Sequence, residues 1–191
     1  MGAVDFLFTP SVQRVLGLVF ARPEHEFTLK ELLDRAGAGN GNSQRHIEQL
    51  IQAGVLHEGP RRGRQRAIKA NTAHFLYSEL RAIALKSFAL VEPLREALAP
   101  FADRIDEAFV FGSVAAGSDS HRSDVDLIVV GGVPLLDLTQ SLAEMENRLG
   151  RPVHLSVYTA QEWAELSRSD PVLAQISESS KLTVLPHGAP T

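Results

Sequence analysis

Glu107-Ala108-Phe109-Val110-Phe111-Gly112-Ser113 leads through Val114-Ala115-Ala116-Gly117 and a polar loop to Ser123-Asp124-Val125-Asp126-Leu127-Ile128-Val129-Val130. A short, mostly apolar strand runs into Gly-Ser, and a second apolar strand opens on Asp-x-Asp after ten intervening residues. The side-chain period of a strand is two, so the spacing projects Asp124 and Asp126 from one face. Two carboxylates placed that way grip one hard cation, Mg²⁺ or Mn²⁺. Without a counter-ion, two acids flanking Val125 in an apolar strand would be costly. Gly112 permits close approach of backbone to a phosphate, and Ser113 brings a hydroxyl and an amide to a helix start. Together these residues suit a nucleoside triphosphate carried with a divalent metal. Asp-x-Asp alone is common; the spacing from Gly-Ser and the two flanking strands give the pattern its specificity.

The surrounding pattern alternates strands and helices. A helix is predicted over Leu135–Leu149, a strand over Val153–Tyr158, and a capping box from Thr159 to Glu162 opens a helix through Trp163. A helical stretch over residues 171–177 and a last strand over Leu182–Leu185 follow. In the strand from Val153, alternation puts His154, Ser156 and Tyr158 on one face.

Phe111-Gly112-Ser113, Gly117, Arg122-Ser123-Asp124 and Asp126-Leu127 resemble the minimal nucleotidyltransferase family, relatives of the DNA polymerase β superfamily. The resemblance runs over residues 105–185. It implies a mixed sheet with helices, and nucleotide binding at Gly112, Ser113 and Ser123. It also implies a two-metal displacement at the α-phosphorus, in which an acceptor hydroxyl attacks while pyrophosphate leaves. In that family three carboxylates hold the metals, the third from the strand after the intervening helix. Here that strand offers His154, Ser156 and Tyr158 and no acid. A neutral imidazole suits a general base or a metal ligand, so His154 joins Asp124 and Asp126 as a candidate catalytic residue. It equally fits a domain that binds nucleotide and transfers weakly or not at all. The other acids, Asp119, Asp137, Glu144 and Glu146, show no spacing that singles them out.

The first half reads differently. Ser11 precedes an apolar-periodic run of Val12, Val15, Leu16, Val19 and Phe20 that Pro23 ends. Thr28-Leu29-Lys30-Glu31 forms a capping box for a short second helix, closed by a glycine-rich turn. A third helix starts near Asn42 or Ser43 and stops at Gly54. On its wheel Ser43, Ile47, Leu50, Ile51 and Gly54 share the inward face, with Arg45, Gln49 and Gln52 opposite and His46 on the flank. Arg45, His46 and Gln49 are candidates for base-edge and phosphate contacts. Two strand-like segments, residues 55–58 and 65–70, then flank a tip with Arg61, Arg62, Arg64 and Arg66. A basic hairpin directly after a helix-turn-helix resembles prokaryotic winged-helix regulators over roughly residues 10–71, with the four arginines expected on DNA phosphates. The alternative use of such a wing is a protein contact. Residues 72–91 carry Phe75, Leu76, Leu80, Ile83 and Phe88 at helical spacing, expected as one long helix with a dimer face, and Glu92-Pro93 starts another.

The whole chain has 191 residues, no cysteine, 44% hydrophobic and 22% charged residues, which excludes a disulfide scaffold, a thiolate metal site and wholesale disorder. The longest run free of Asp, Glu, Lys and Arg is the 11 residues 108–118, far short of a bilayer span. Asp5, Pro10 and Arg14 do not fit a signal peptide, so a cytoplasmic protein is expected. Residues 1–91 hold 12 Lys or Arg against 8 Asp or Glu, and residues 92–191 hold 7 against 15. Such asymmetry suits a nucleic-acid-facing half joined to something else.

The expected fold class is therefore a two-domain α+β and α/β chain. A winged helix-turn-helix occupies residues 1–71, a helical linker with a homodimer contact 72–104, a nucleotidyltransferase-like mixed sheet 105–186, and a tail 187–191. Two functions stay open. One is a DNA-binding transcription regulator whose second domain binds Mg²⁺-nucleotide. The other is an enzyme moving a nucleoside monophosphate to a protein, RNA or small molecule.

Overall fold

The computed structural model describes residues 4–35, 42–59, 66–119 and 123–187, without the side chain of Arg148. Arg61, Arg62 and Arg64 of the expected wing lie outside the described residues. The chain divides into two compact units after Leu90.

In the first unit, helix α1 spans Pro10–Ala21. Its cap is Thr9: the Thr9 hydroxyl accepts the Val12 N–H, and Pro10 fills a first-turn position that needs no donor. Ser11 sits inside the helix, with its hydroxyl 2.8 Å from that of Ser43. Strand β1 (Phe27–Thr28) runs straight into α2 (Leu29–Arg35). The Thr28–Glu31 box forms as expected: Glu31 Oε2 accepts the Thr28 amide at 2.7 Å, and the Thr28 hydroxyl accepts the Glu31 amide at 3.1 Å. Helix α3 covers Asn42–Gln52, and strands β2 (Leu56–Glu58) and β3 (Ala67–Ala70) follow. The three strands form one antiparallel sheet in the order β1-β3-β2. Its core is Val15, Leu16, Val19, Phe20, Phe27, Leu32, Ile47, Leu56 and Ile68.

The single helix expected over residues 72–91 does not form. Helix α4 runs only Tyr77–Lys86. Phe75 and Leu76 precede it and are exposed, while Arg81, Ala84 and Leu85 are buried. Positions 81, 84 and 85 share a helix face, so the inward stripe is rotated away from the one that the large apolar residues suggest. The reason is Arg81, whose Nε donates to the Phe20 carbonyl at 3.2 Å and so satisfies a polar group inside the core. Phe88, beyond the helix, meets Phe8 edge-on.

The second unit begins with α5 (Val91–Leu98) and a 3-10 turn (Ala99–Arg104). Then come β4 (Ile105–Phe111), α6 (Gly112–Ala116), β5 (Val125–Gly131), α7 (Leu135–Leu149), β6 (Val153–Tyr158), α8 (Ala160–Ser169), α9 (Pro171–Glu178) and β7 (Leu182–Leu185). The sheet is mixed, in the order β6-β5-β4-β7, with β5 and β6 parallel and the other pairs antiparallel. One face carries Phe109, Ile128 and Val130 under Phe111, Tyr158, Trp163 of α8 and Ile176 of α9. Alternation sends Val125, Leu127 and Val129 to the other face. Helices α5 and α7 pack together, and their Leu94, Leu98, Leu138, Leu142 and Met145 are buried.

The Thr28–Glu31 box yields a test. Thr28→Ala should cost the protein about 1 kcal/mol in urea unfolding. Thr139→Ala, which removes only an exposed hydroxyl bonded within α7, should cost nothing measurable. Two Thr28 hydrogen bonds hold the Glu31 carboxyl below its ordinary range. A depressed acid contributes stability above its unfolded pKa and loses it as pH falls through the folded one. The Thr28→Ala penalty should therefore shrink on acidification below the usual glutamate range; a penalty that grows there would refute the assignment.

Candidate functional site

Strand register assembles the site. Phe111 pairs with Asp126 across the antiparallel β4–β5 ladder, and Asp126 pairs with His154 across the parallel β5–β6 ladder. Gly112, next in the chain after Phe111, therefore lies against the Asp126 carboxylate. It has φ +71°, and a Cβ built on it would stand 2.7 Å from Asp126 Oδ2. Only glycine meets both conditions, the left-handed backbone and the approach of a carboxylate. On the other side His154 Nδ1 is 3.7 Å from Asp126 Oδ1. The three residues form one row at the end of the sheet face that Trp163 and Ile176 cover further along.

Asp126 is the one acid within β5, whose other residues are buried. Burial raises its pKa above the ordinary aspartate value; His154 opposes the shift and Asp124 adds to it. The Asp126 side chain is 31% exposed and that of His154 75%, so the row opens to solvent. Asp124 is exposed and lies just ahead of β5 rather than within it. The expected projection of both acids from one strand face thus holds for Asp126 only, though the charge of Asp124 acts on it. Ser113 and Ser123 are half-buried; the Ser113 carbonyl accepts the Ser118 amide at 3.0 Å. Among the described residues, no three His, Cys, Asp or Glu side chains cluster so as to hold a metal ion.

Sequence spacing did not single out Asp119 or Arg151. The structure pairs them at 2.8 Å with side chains 0% and 3% exposed, and Arg151 Nε donates to the Ser123 carbonyl at 2.9 Å. A charge pair between residues 32 apart leaves no periodic trace; the only local sign was an arginine between Gly150 and Pro152, where a turn was due.

In the first unit, Arg45 and Gln49 are exposed on α3, opposite the buried Ser43 and Ile47. His46 is half-buried and its Nδ1 has no hydrogen-bond partner. Arg66 faces Glu58 at 3.4 Å across the β2–β3 pair, which offsets part of the positive charge expected there.

The nucleotidyltransferase domain family model matches residues 91–181. The match begins at Val91, where the second unit starts, and takes in α5 ahead of the expected residue 105. Two solved structures match part of the chain. One, described as a toxin-antitoxin with AMP-PNP, is 16% identical, covers 52% of this chain and 75% of its own, and has a TM-score of 0.40. The other, a putative nucleotidyltransferase from Sulfolobus solfataricus, is 20% identical, covers 44% and 78%, and has a TM-score of 0.31. No curated protein matches the chain. Residues 91–181 are thus similar to the nucleotidyltransferase domain family.

The burial of Asp126 predicts a stability effect with a definite sign. Because its folded pKa is raised, the ionised form destabilises the fold at neutral pH, and the penalty fades as pH falls through the folded value. Asp126→Asn should unfold at a higher temperature than wild type at pH 7, and the gain should vanish in acid. Gly112→Val should lower the melting temperature at both pH values, since backbone strain does not titrate. A melting temperature for Asp126→Asn below wild type at pH 7 would contradict this account.

Proposed function

We propose that the second unit binds a Mg²⁺-nucleoside triphosphate at Gly112, Ser113, Ser123, Asp124 and Asp126, and transfers its nucleotidyl group weakly or not at all. The first unit, in this reading, is a DNA-binding winged helix, which makes the chain a transcription regulator whose other half senses nucleotide. The observation that carries the reading is the row Gly112–Asp126–His154, in which an imidazole stands where the resemblance leads one to expect a carboxylate.

The donor set decides which metal arrangement suits the site. Two carboxylates and no third acid do not make a metal cage. They do fit Mg²⁺, which keeps waters and takes oxygens from substrate phosphates while relying on one or two carboxylates. Such an ion, bound by Asp124 and Asp126 with the nucleotide, would supply neutralisation of the triphosphate charge. The chain's own part is to admit the phosphates over Gly112, where no side chain intervenes, and to offer the Ser113 hydroxyl and amide. Activation of an acceptor hydroxyl needs a base beside it. His154 is open to solvent and adjoins Asp126, which favours the second reading of an active enzyme with His154 as that base.

Calorimetry with nucleoside triphosphates, with and without Mg²⁺, tests the binding claim. Wild type should bind in a Mg²⁺-dependent way, and joint Asp124→Asn and Asp126→Asn replacement should abolish the dependence while the protein stays folded. No Mg²⁺-dependent binding at millimolar nucleotide would defeat both readings. Labelled nucleotide incubated with protein and lysate separates them: label on an acceptor from wild type, lost in His154→Ala, would establish the enzyme. Label appearing only in His154→Asp is the outcome expected of a sensor whose third ligand is absent.

For the first unit, replacing Arg61, Arg62, Arg64 and Arg66 with Ala should weaken DNA binding across sequences. The salt slope should flatten by roughly one unit per lost phosphate contact. Arg45→Ala and Gln49→Ala should reduce discrimination between sites more than overall affinity. An unaltered salt slope in the wing variant would remove the wing from the DNA contact.

A further inference from the structure

We infer that Arg151 is a positioning residue for the nucleotide site: it fastens the chain just ahead of Asp124, while Pro152 beside it fastens the chain just after. The inference rests on the proposed binding of Mg²⁺-nucleotide through Asp124 and Asp126. Asp124 itself is exposed, yet both its neighbours are tied to one dipeptide. Arg151 donates to the Ser123 carbonyl from Nε at 2.9 Å and from Nη2 as well. The next residue, Pro152, accepts the Val125 amide at 2.9 Å. The loop's earlier end is held by the same guanidinium, whose Nη1 donates to Asp119 Oδ2 at 2.8 Å. Val153, one residue further, enters β6 opposite Val125, and its amide is taken by Glu146 Oε1 of α7 at 2.6 Å.

The physical chemistry makes this more than a loop contact. The Arg151 and Asp119 side chains are nearly inaccessible to water, so removing one charge would leave the other buried without its counter-ion. The planar fork of arginine reaches a carboxylate and a carbonyl together, which a lysine ammonium on its flexible stem cannot do in one fixed geometry. Arg151 thereby converts the start of β6 into an anchor for the segment that presents Asp124. The row His154–Asp126–Gly112 is set by ladder register and does not need it. Asp124 lies ahead of the ladder, and does.

The test is Mg²⁺-dependent nucleotide binding by the full chain, with MgATP as probe. Asp119→Leu with Arg151→Met removes both charges and replaces them with apolar groups, a change that buried pairs often tolerate. This variant should fold and lose about 10–100-fold in Mg²⁺-dependent affinity, the usual cost of removing a group that orients a metal ligand. Its Mg²⁺-free affinity for ATP should stay that of wild type, a difference that general loosening of the fold would not produce. In an Asp124→Asn background the same double replacement should change Mg²⁺-dependent affinity no further. Arg151→Lys keeps the charge opposite Asp119 and should restore part of the affinity. Should the double variant fail to fold, Arg151→Lys alone carries the test, and wild-type affinity in it would overturn the inference. A folded double variant with unchanged Mg²⁺-dependent affinity would overturn it and leave the binding proposal standing. Absence of Mg²⁺-dependent binding in wild type would overturn the binding proposal, and this inference with it.

Discussion

The second unit is organised around a carboxylate set at the end of an inner strand of an apolar sheet. Asp126 belongs to β5, which has neighbours on both sides, and the other residues of that strand are buried. An acid in such a strand survives because it lies at the strand's first turn of register, where the face opens to water and an imidazole adjoins it. That one placement dictates its surroundings. The residue that follows its ladder partner Phe111 must lack a Cβ, and it is Gly112. The apolar cover supplied by Trp163 and Ile176 belongs over Ile128 and Val130, and not over Asp126.

How much of this was legible beforehand depends on whether the cause was local. Helix α7, strands β6 and β7, and both capping boxes were readable because period, flanking Gly and Pro, and a Thr-x-x-Glu pair act within a few residues. The row Gly112–Asp126–His154 was readable in part. Spacing named its members, but the register that brings them together is a property of the sheet. Arg81 and Arg151 were not readable. Each arginine is buried because a partner far along the chain accepts its hydrogen bonds, the Phe20 carbonyl in one case and Asp119 with Ser123 in the other. A sequence pattern that assigns arginine to the surface will miss both, and it misplaced the inward face of α4 for that reason.

The two buried arginines also show how the two units differ in their use of charge. In the first, Arg81 serves packing: it satisfies a helix carbonyl while its neighbours Ala84 and Leu85 fill the core. In the second, Arg151 serves a loop that carries an acid toward solvent. A hydrophobic residue would fill space as well in either place, but it would not satisfy the Phe20 carbonyl in one, nor hold the Ser123 carbonyl and the Asp119 carboxylate together in the other.

Binding and transfer make separate demands on the same sheet end. Binding a triphosphate with its metal needs negative charge and open backbone, which the proposed site draws from Asp124, Asp126 and Gly112. Transfer needs in addition a group that takes a proton from the acceptor while the phosphorus is attacked. A carboxylate at position 154 would bring a fixed negative charge to the metals and strengthen binding and transfer together. An imidazole brings no fixed negative charge. In the proposed reading, histidine at this position withholds a ligand charge while offering a base, so the two capacities come apart at a single residue. That is why the distinction between sensor and enzyme falls on His154, and why neither the fold nor the Gly-Ser and Asp-x-Asp pattern can make it.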